Sequence, residues 1–327
     1  MKAARYRGRR AFVGAALGLP LAGLHAQARY PERMVRIVVP YAVGVGPDVV
    51  ARSVAENLAR HWRQPVIIDN KPGASGIVAF GDARRTAPDG YTLYLADTAT
   101  MAVNPLIHPA LPYDPARDLV PLTLLFRATF VILVGGRSRF ENLAQLLAAA
   151  RREPGRVSYA SLGNGHASQV AIESMAHAAG VQMLHVPFKD AGALFTAVAA
   201  GDVDFTAFSM NTVSGLLAGG RLRPLAVAAR TRLKEHPRLP TLAEAGGPDL
   251  EMRPWAGLVA LAGTPPALLA QLQRDIVAAI DADEVRARIE ALGFELTPST
   301  PQEMRERIDA DLALYAPLVR AGRVSRL

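Results

Sequence analysis

The chain has 327 residues, of which 50% are hydrophobic and 20% are charged, and its formal net charge is +8. This length suits two α/β lobes of roughly 120 to 180 residues each, and the composition excludes a disordered or fibrous protein. The charge does not indicate nucleic-acid binding, because residues 1–28 carry five basic side chains and no acid, which leaves 32 basic against 29 acidic residues.

Residues 1–28 have the pattern of a secretory signal peptide. A basic stretch precedes an apolar run over residues 11–24, and Ala26-Gln27-Ala28 is a small-x-small cleavage site. The apolar run is shorter than the roughly 20 residues that cross a bilayer, so we prefer a cleaved leader to a membrane-anchoring helix. The pair Arg9-Arg10 is also compatible with a twin-arginine export route. We therefore predict export to the periplasm, with cleavage after Ala28.

The chain contains no cysteine. This excludes disulfides, thiolate metal sites, cysteine nucleophiles and a lipid anchor on an N-terminal cysteine. No segment after the leader is apolar over the length of a membrane span, so we expect a free, soluble protein after cleavage.

From residue 34 onward, short β-branched runs alternate with amphipathic stretches, which predicts an α/β fold with mixed, mostly parallel sheets flanked by helices. The first predicted strands are 36–40, 64–70 and 91–95, and the first helices are 48–62 and a segment from about residue 77 to residue 84 or 85. Asp48 suits the start of its helix as a cap and as a partner of the helix dipole. The third strand leads into a polar loop, 96–100, and loops at such strand ends commonly bind ligands.

Near residue 130 the same pattern starts again, which predicts a second unit of the same kind. Its predicted strands are 130–134, 157–160, 183–186, 204–209 and 223–228, and its predicted helices are 142–152, 167–179, 192–200 and 210–218. A strand at 257–261 and helices at 266–281 and 301–319 follow. We interpret this last part as the return of the chain to the first unit.

This organisation predicts two α/β lobes. Residues 29–129 and 254–327 would form lobe 1, and residues 130–253 would form lobe 2. Two independent domains followed by a helical tail are the alternative.

Three loops rich in small residues precede predicted helices, at residues 41–48, 71–76 and 161–168. Backbone N–H groups at a helix start attract anions, and glycine lets a ligand approach closely. Each loop alone is better explained as an ordinary connection, but together they favour a carboxylate or phosphate site. None is a P-loop or a dinucleotide fingerprint, so we predict no cofactor.

Enzymatic interpretations find little support in the sequence. Ser161 does not stand in a Gly-x-Ser-x-Gly elbow, and the histidines show no metal-ligand spacing. We therefore predict no catalytic residue and no metal site, with His166 and His185 as surface or packing residues. Lys189 fits anion pairing and a solvated turn equally well, and for Trp255 we prefer core packing to a cleft wall.

Ordered motifs cover essentially the whole chain after the leader. The main ones are Arg36-Ile37-Val38-Val39-Pro40-Tyr41, Gln64-Pro65-Val66-Ile67-Ile68-Asp69-Asn70-Lys71-Pro72-Gly73, Ala87-Pro88-Asp89-Gly90-Tyr91-Thr92-Leu93, Leu111-Pro112-Tyr113-Asp114-Pro115, His185-Val186-Pro187-Phe188-Lys189 and Leu239-Pro240-Thr241-Leu242. In this order they resemble the periplasmic solute receptors of tripartite tricarboxylate transporters, a family much expanded in Bordetella.

The resemblance implies a two-lobed periplasmic-binding-protein fold with a ligand cleft between the lobes. The cleft would close without covalent chemistry on a small mono- or dicarboxylate or an amino acid. The resemblance places one ligand carboxylate, held partly through ordered water, at loop 41–48, and it lines the far side with residues 161–168, 188–192 and Ser209. With the polar loop after the third strand, the candidate ligand-binding residues are Tyr41, Ala42, Val43, Gly44, Val45, Asp48, Thr98, Thr100, Ser161, Gly163, Asn164, Gly165, His166, Phe188, Lys189, Asp190 and Ser209.

The sequence departs from the family at the positions that set specificity. In the first loop, Val45 adds bulk and Pro47 has neither an N–H nor a hydroxyl to donate. His166 replaces a usual threonine, Asp190 a usual glycine, and Ser209 a position that is often aspartate. The missing acid at Ser209 argues against an α-amino group in the ligand. Asp190 either repels an anion or points away from it.

We expect an exported, monomeric, non-enzymatic receptor for a small organic acid, with no nucleic-acid partner. It would deliver this acid to the membrane permease subunits of a tripartite tricarboxylate-type transporter. One alternative is a ligand sensor for a membrane signalling protein. A periplasmic hydrolase that uses Ser161 or His166 is a weaker one.

Overall fold

The computed structural model describes residues 30–327, so the predicted leader and its cleavage site lie outside the described residues. Residues Pro31 to Leu327 form one compact unit. None of the helices in the described part of the chain combines the length and the apolar character that a membrane crossing requires.

The strands lie in two separate sheets. In chain order they are β1 (Val35–Val39), β2 (Val66–Asn70), β3 (Thr92–Asp97), β4 (Leu119–Ala128), β5 (Val131–Gly135), β6 (Ser158–Ser161), β7 (Leu184–Pro187), β8 (Phe205–Phe208), β9 (Leu222–Val227), β10 (Trp255–Leu261) and β11 (Phe294–Leu296).

Helices flank both sheets. They are α1 (Gly46–Trp62), α2 (Ile77–Ala83), α3 (Asn104–Ile107), α4 (Pro115–Asp118), α5 (Leu143–Arg152), α6 (Ala167–Ala178), α7 (Ala191–Ala200), α8 (Ser214–Ala218), α9 (Pro266–Ile280), α10 (Asp283–Ala291) and α11 (Pro301–Arg320).

The first sheet has the strand order β11-β4-β10-β3-β1-β2. β1 pairs in parallel with β2 and β3, so these three strands end at the same edge of the sheet. Every residue of β3 is buried, as expected for a central strand with helices on both faces. Tyr41, Lys71 and Thr98 come shortly after the ends of these three strands. This edge of the sheet therefore positions the candidate ligand-binding residues of the first lobe.

The second sheet has the order β7-β6-β8-β5-β9. β6 pairs in parallel with β7 and β8, so these three strands end at one edge of the sheet, at Ser161, Pro187 and Phe208. α6 follows this edge and is buried along most of its length, because it packs against β6, β8 and α11. Val170 of α6 packs against Leu318 of α11 in a shared apolar cluster.

The chain changes sheets twice, between β4 and β5 and again between β9 and β10. The prediction of a two-lobed α/β fold with mixed sheets is confirmed. The share of parallel pairing is smaller than the pattern predicted, since four strand pairs are parallel and five are antiparallel.

Several local predictions need correction. Helix α1 begins at Gly46, so Asp48 lies inside its first turn and is not its cap. The predicted polar loop 96–100 is shorter than expected, because β3 continues to Asp97 and a π-helical turn begins at Ala99. The prediction missed β4, α10 and β11 altogether.

Candidate functional site

The first-lobe candidates are held by a network around the carboxylate of Asp48, which is fully buried. Its oxygens accept hydrogen bonds from the backbone N–H of Gly44 at 2.8 Å, from Nε of Arg52 at 3.0 Å and from the amide of Asn70 at 2.7 Å. Burial opposes ionisation of Asp48, but these hydrogen bonds outweigh it and lower its pKa. Asp48 therefore stabilises the conformation of the first loop, and its oxygens have little remaining capacity to accept hydrogen bonds from a ligand.

Tyr41 and Asp97 form a second buried pair at the same edge. The Tyr41 hydroxyl donates to one oxygen of Asp97, and the backbone N–H of Thr100 donates to the other at 2.8 Å. Burial raises the pKa of Asp97, although these hydrogen bonds counteract part of the rise. Burial and the neighbouring Asp97 also raise the pKa of the Tyr41 hydroxyl. The edge of the first sheet thus carries a buried acid directly behind the predicted carboxylate loop.

The hydroxyls of Thr98 and Thr100 accept hydrogen bonds from backbone N–H groups. The Thr98 hydroxyl accepts from the N–H of Trp255 at 3.1 Å, and the Thr100 hydroxyl accepts from the N–H of Asp97 at 2.9 Å. Both threonines are nearly inaccessible. The remaining first-loop candidates, Ala42, Val43, Gly44 and Val45, are exposed. Trp255 is buried and its indole N–H donates to Asp311, so core packing is confirmed.

On the second lobe, Ser161 organises the loop that precedes α6. Its hydroxyl lies 2.6 Å from Nε2 of His185, accepts from the N–H of Gly163 and donates to the Gly163 carbonyl. Gln169 continues this network, because its oxygen accepts from the N–H of Gly165 at 2.7 Å and its nitrogen lies 3.2 Å from Nδ1 of His185.

These contacts assign the tautomer of His185. Since the NH₂ group of Gln169 faces Nδ1, that nitrogen is the acceptor, and Nε2 carries the proton and donates it to Ser161. A general base would need a free lone pair at Nε2. Burial also lowers the pKa of His185. This arrangement works against a nucleophilic role of Ser161.

His166 caps helix α6. Its Nδ1 accepts from the backbone N–H of Ser168 at 3.2 Å and lies 2.8 Å from the Ser168 hydroxyl. Burial lowers the pKa of His166 to about 4, so the ring is neutral near pH 7. Since Nδ1 accepts, Nε2 carries the proton, and it has no hydrogen-bond partner among residues 30–327. The ring lies beside Phe208 at the end of β8, with centroids 6.3 Å apart. His166 thus offers a neutral donor at the strand-end edge of lobe 2.

Four further second-lobe candidates differ in their surroundings. Asp190 caps α7 by accepting from the N–H of Ala193 at 2.9 Å, so its carboxylate occupies the start of that helix. Ser209 pairs with Thr212, with 2.7 Å between their hydroxyl oxygens. Phe188 packs on the second-lobe core, whereas Lys189 is exposed and makes no ion pair within the described residues.

The two lobes meet near these loops. Gly165 has a φ of +77°, and an added Cβ would lie 2.5 Å from Ile107, so only glycine fits there. Asn211, which follows Ser209, donates to the carbonyl of Ala291 at 3.1 Å. Thr98 and Ala167 line one small cavity of about 10 Å³ between the lobes.

The last described residues also lie where the lobes meet. Asn164 donates to the carbonyl of Ser325 at 2.8 Å, and the N–H of Leu327 donates to the carbonyl of Ile107 at 2.8 Å. A larger cavity of about 290 Å³ lies at the other end of the second sheet, between α5 and the start of β6, and contains none of the candidate residues. Within the described residues, no group of acids and histidines is arranged to hold a metal ion.

Several residues around the site were not predicted as members of it. Asp97 stands in the polar loop that the sequence indicates, and a buried acid at a strand end is the signal that could have found it. No pattern in the sequence indicates that Gln169 or Phe294 belongs to the site. Phe294 belongs to the unpredicted strand β11, and its ring lies against Gly46 at the start of α1.

Two mixed sheets whose strand ends and helix starts meet between two lobes define a periplasmic-binding-protein fold. The family described as tripartite tricarboxylate transporter family receptor matches residues 50–323. Protein BugT of Bordetella pertussis is 30% identical over 292 residues, which cover 89% of this chain and 90% of BugT. The chain therefore belongs to the tripartite tricarboxylate transporter receptor family.

Solved structures agree with this assignment. An R. palustris protein determined with adipate is 29% identical, with a TM-score of 0.81 over 91% of this chain and 100% of that chain. MatC from Rhodopseudomonas palustris, determined with bound malate, is 28% identical, with a TM-score of 0.76 over 88% of this chain and 99% of that one.

Proposed function

We propose that the protein is a periplasmic receptor that binds a small organic acid between its lobes and delivers it to the permease subunits of a transporter. The observation that carries the proposal is the uncommitted donor at Nε2 of His166, at the start of α6 and at the strand-end edge that faces lobe 1. A carboxylate accepts hydrogen bonds from such a donor and from N–H groups at a helix start.

The lobe boundaries belong to the same proposal. Residues 29–129 with 254–327 would form lobe 1, residues 130–253 would form lobe 2, and residues 1–28 would be removed on export. Contacts such as Asn211 with Ala291 would stabilise the closed arrangement once a ligand bridges both faces. The permease would then recognise the closed receptor.

Binding without catalysis is also part of the proposal. The tautomer of His185 leaves Ser161 without a base, and the neutral, capping His166 has its Nδ1 occupied by Ser168. The relatives determined with adipate and malate support a carboxylate ligand for this chain as well.

Native mass spectrometry of freshly purified protein tests the function directly, together with a thermal-shift screen of carboxylates and amino acids. We expect an unchanged organic acid to co-purify or to raise the melting temperature. A protein that binds no acid at millimolar concentration, or that releases a chemically altered one, would contradict the proposal. Stronger stabilisation by aspartate or glutamate than by succinate would contradict our interpretation of Ser209.

A further inference from the structure

The candidate cleft provides donors for one carboxylate but few for a second. His166 and the start of α6 form the one group of uncommitted donors described above. The start of α7 is occupied by the side chain of Asp190. At the start of α1, Pro47 lacks an N–H, and the N–H of Gly44 already donates to Asp48. A second ligand carboxylate would therefore lose its hydration without gaining equivalent hydrogen bonds.

The charges around the cleft also disfavour a second carboxylate. Asp97 is buried behind Tyr41, and Asp190 stands at the edge of lobe 2. Asp48 is compensated by Arg52, whose Nε and second terminal nitrogen are engaged by Asp48 and Asn70. Among the candidate residues only Lys189 has a fixed positive charge, and it is exposed directly before Asp190. Lys71, at the same sheet edge as Tyr41, lies 3.5 Å from Asp69 and 3.7 Å from Asp82, so its charge is already balanced.

The first loop exposes apolar side chains at the same edge. Val43 is 70% exposed and Val45 is 41% exposed, which places two exposed large hydrophobic residues on one short loop. The ring of Phe294 lies against the start of α1, within 3 Å of where a Cβ on Gly46 would stand. On lobe 2, the ring beside His166 is Phe208, which is buried in the core of that lobe and packs against Phe195 with centroids 5.0 Å apart.

Exposed valines on a binding loop cost free energy in the open protein, and covering them with an apolar ligand recovers that free energy. An aliphatic dicarboxylate would place a charged end against this surface. A ligand with one carboxylate and an apolar tail matches both the donors of lobe 2 and the apolar loop of lobe 1.

We infer that the ligand is a monocarboxylate with an apolar tail, aliphatic or aromatic, and that Val43 and Val45 select it over dicarboxylates. This inference rests on the proposed function and specifies its ligand class.

The test compares hexanoate with adipate by isothermal titration calorimetry, because both have six carbons and they differ by one terminal carboxylate. Phenylacetate against succinate provides a second, aromatic comparison. We expect each monocarboxylate to bind at least about tenfold more tightly than its dicarboxylate partner.

Variants locate the selectivity. The double substitution Val43→Ser with Val45→Ser should weaken hexanoate binding by about tenfold, while leaving adipate binding within about threefold. Leu184→Ser is the control, since Leu184 is 52% exposed at the opposite end of β7 from Pro187 and should change neither affinity.

The outcomes separate the two proposals. Preferential binding of hexanoate that the valine substitutions abolish supports the inference. Equal or tighter binding of adipate overturns it and leaves the receptor function intact. An absence of binding by all four acids overturns the inference, and the receptor function fails as well only if the wider screen of carboxylates and amino acids finds no ligand.

Discussion

Nε2 of His185 lies 2.6 Å from the hydroxyl oxygen of Ser161 and donates a proton to it. The pair resembles the serine and histidine of a hydrolase in distance, but the proton lies on the wrong nitrogen for base catalysis, because Gln169 donates to Nδ1. In this chain the contact fixes a loop.

We therefore predict that Ser161 is a structural residue. Ser161→Ala should lower the free energy of unfolding by about 1 to 3 kcal/mol, since it leaves the half-buried His185 and Gly163 without this hydrogen-bond partner. Urea denaturation measures this change. Ser214→Ala, at an exposed position, should change the stability little. Covalent labelling of Ser161 by a fluorophosphonate would contradict the structural role.

The lowered pKa of His166 predicts that the stability of the fold decreases in acid. Its pKa of about 4 in the folded chain is below the value of about 6.5 in the unfolded chain, so the unfolded state binds more protons between these pH values. The contribution of His166 to stability is therefore complete above about pH 6.5 and is lost as the pH falls toward 4.

His166→Asn tests this, because asparagine keeps an acceptor at the helix cap but does not titrate. Relative to the wild type, the variant should lose about 2 kcal/mol less stability between pH 7 and pH 4. Denaturation at both pH values gives the difference. His236→Asn, at an exposed position, should follow the wild type, and the same behaviour of His166→Asn would refute the prediction.

Asp48 should be important for the first loop. Asp48→Asn removes the charge that Arg52 pairs with and weakens the acceptor for Gly44, so we expect a loss of about 2 kcal/mol or more at pH 7. Because the pKa of Asp48 is lowered by folding, the wild type should lose this advantage as the pH falls through the acid range.

Chemical denaturation as a function of pH measures both effects. Asp309→Asn is the matched control, because Asp309 is exposed on α11 and makes no ion pair in the described part of the chain. Equal stability of the two variants at pH 7 would show that the Asp48 network contributes nothing measurable.

The contact between Asn211 and the loop before β11 should favour the closed lobes. Gly293 has a φ of +71°, and an added Cβ would lie 2.4 Å from Cγ of Asn211. Gly293→Ala should displace Asn211 from the Ala291 carbonyl and weaken ligand binding several-fold, by about 1 kcal/mol. Calorimetry with the bound acid gives the affinity.

Gly180→Ala is the control for backbone strain alone, since Gly180 has a φ of +66° and an added Cβ there meets no neighbour within 4 Å. In an Asn211→Ala background, Gly293→Ala should cause no further loss of affinity. An unchanged affinity of the single Gly293→Ala variant would exclude a role for this contact.

Regular elements of this chain could be predicted because local patterns determine them. The β-branched run of β1 and the helical spacing of α1 are both visible in the sequence. β4 was missed because Pro121 interrupts its pattern. Pro121 stands opposite Val259 of β10, where the pairing register shifts, and β11 pairs with β4 only at residues 126–128, so Pro121 has a strand neighbour on one side only.

The site was less predictable, because it depends on which partner each side chain finds. A sequence cannot show that the carboxylate of Asp48 accepts hydrogen bonds from Arg52 and Asn70. Nor can it show that the carboxylate of Asp190 caps the helix that follows it. The tautomer of His185 depends on Gln169, which lies sixteen residues away in the chain. Such contacts arise from tertiary packing and leave no local pattern.

The contacts of Ser325 and Leu327 determine where a label can be attached without disturbing the lobes. Because the N–H of Leu327 is fixed to Ile107 and Asn164 holds Ser325, a purification tag or fluorescent fusion after Leu327 would emerge where the lobes touch. Such an extension would disturb the contact between Asn164 and Ser325, and therefore also the lobe opening that a fluorescent label is meant to report. Since the sequence has no cysteine, a single cysteine introduced on an exposed helix face gives a unique dye position without this disturbance.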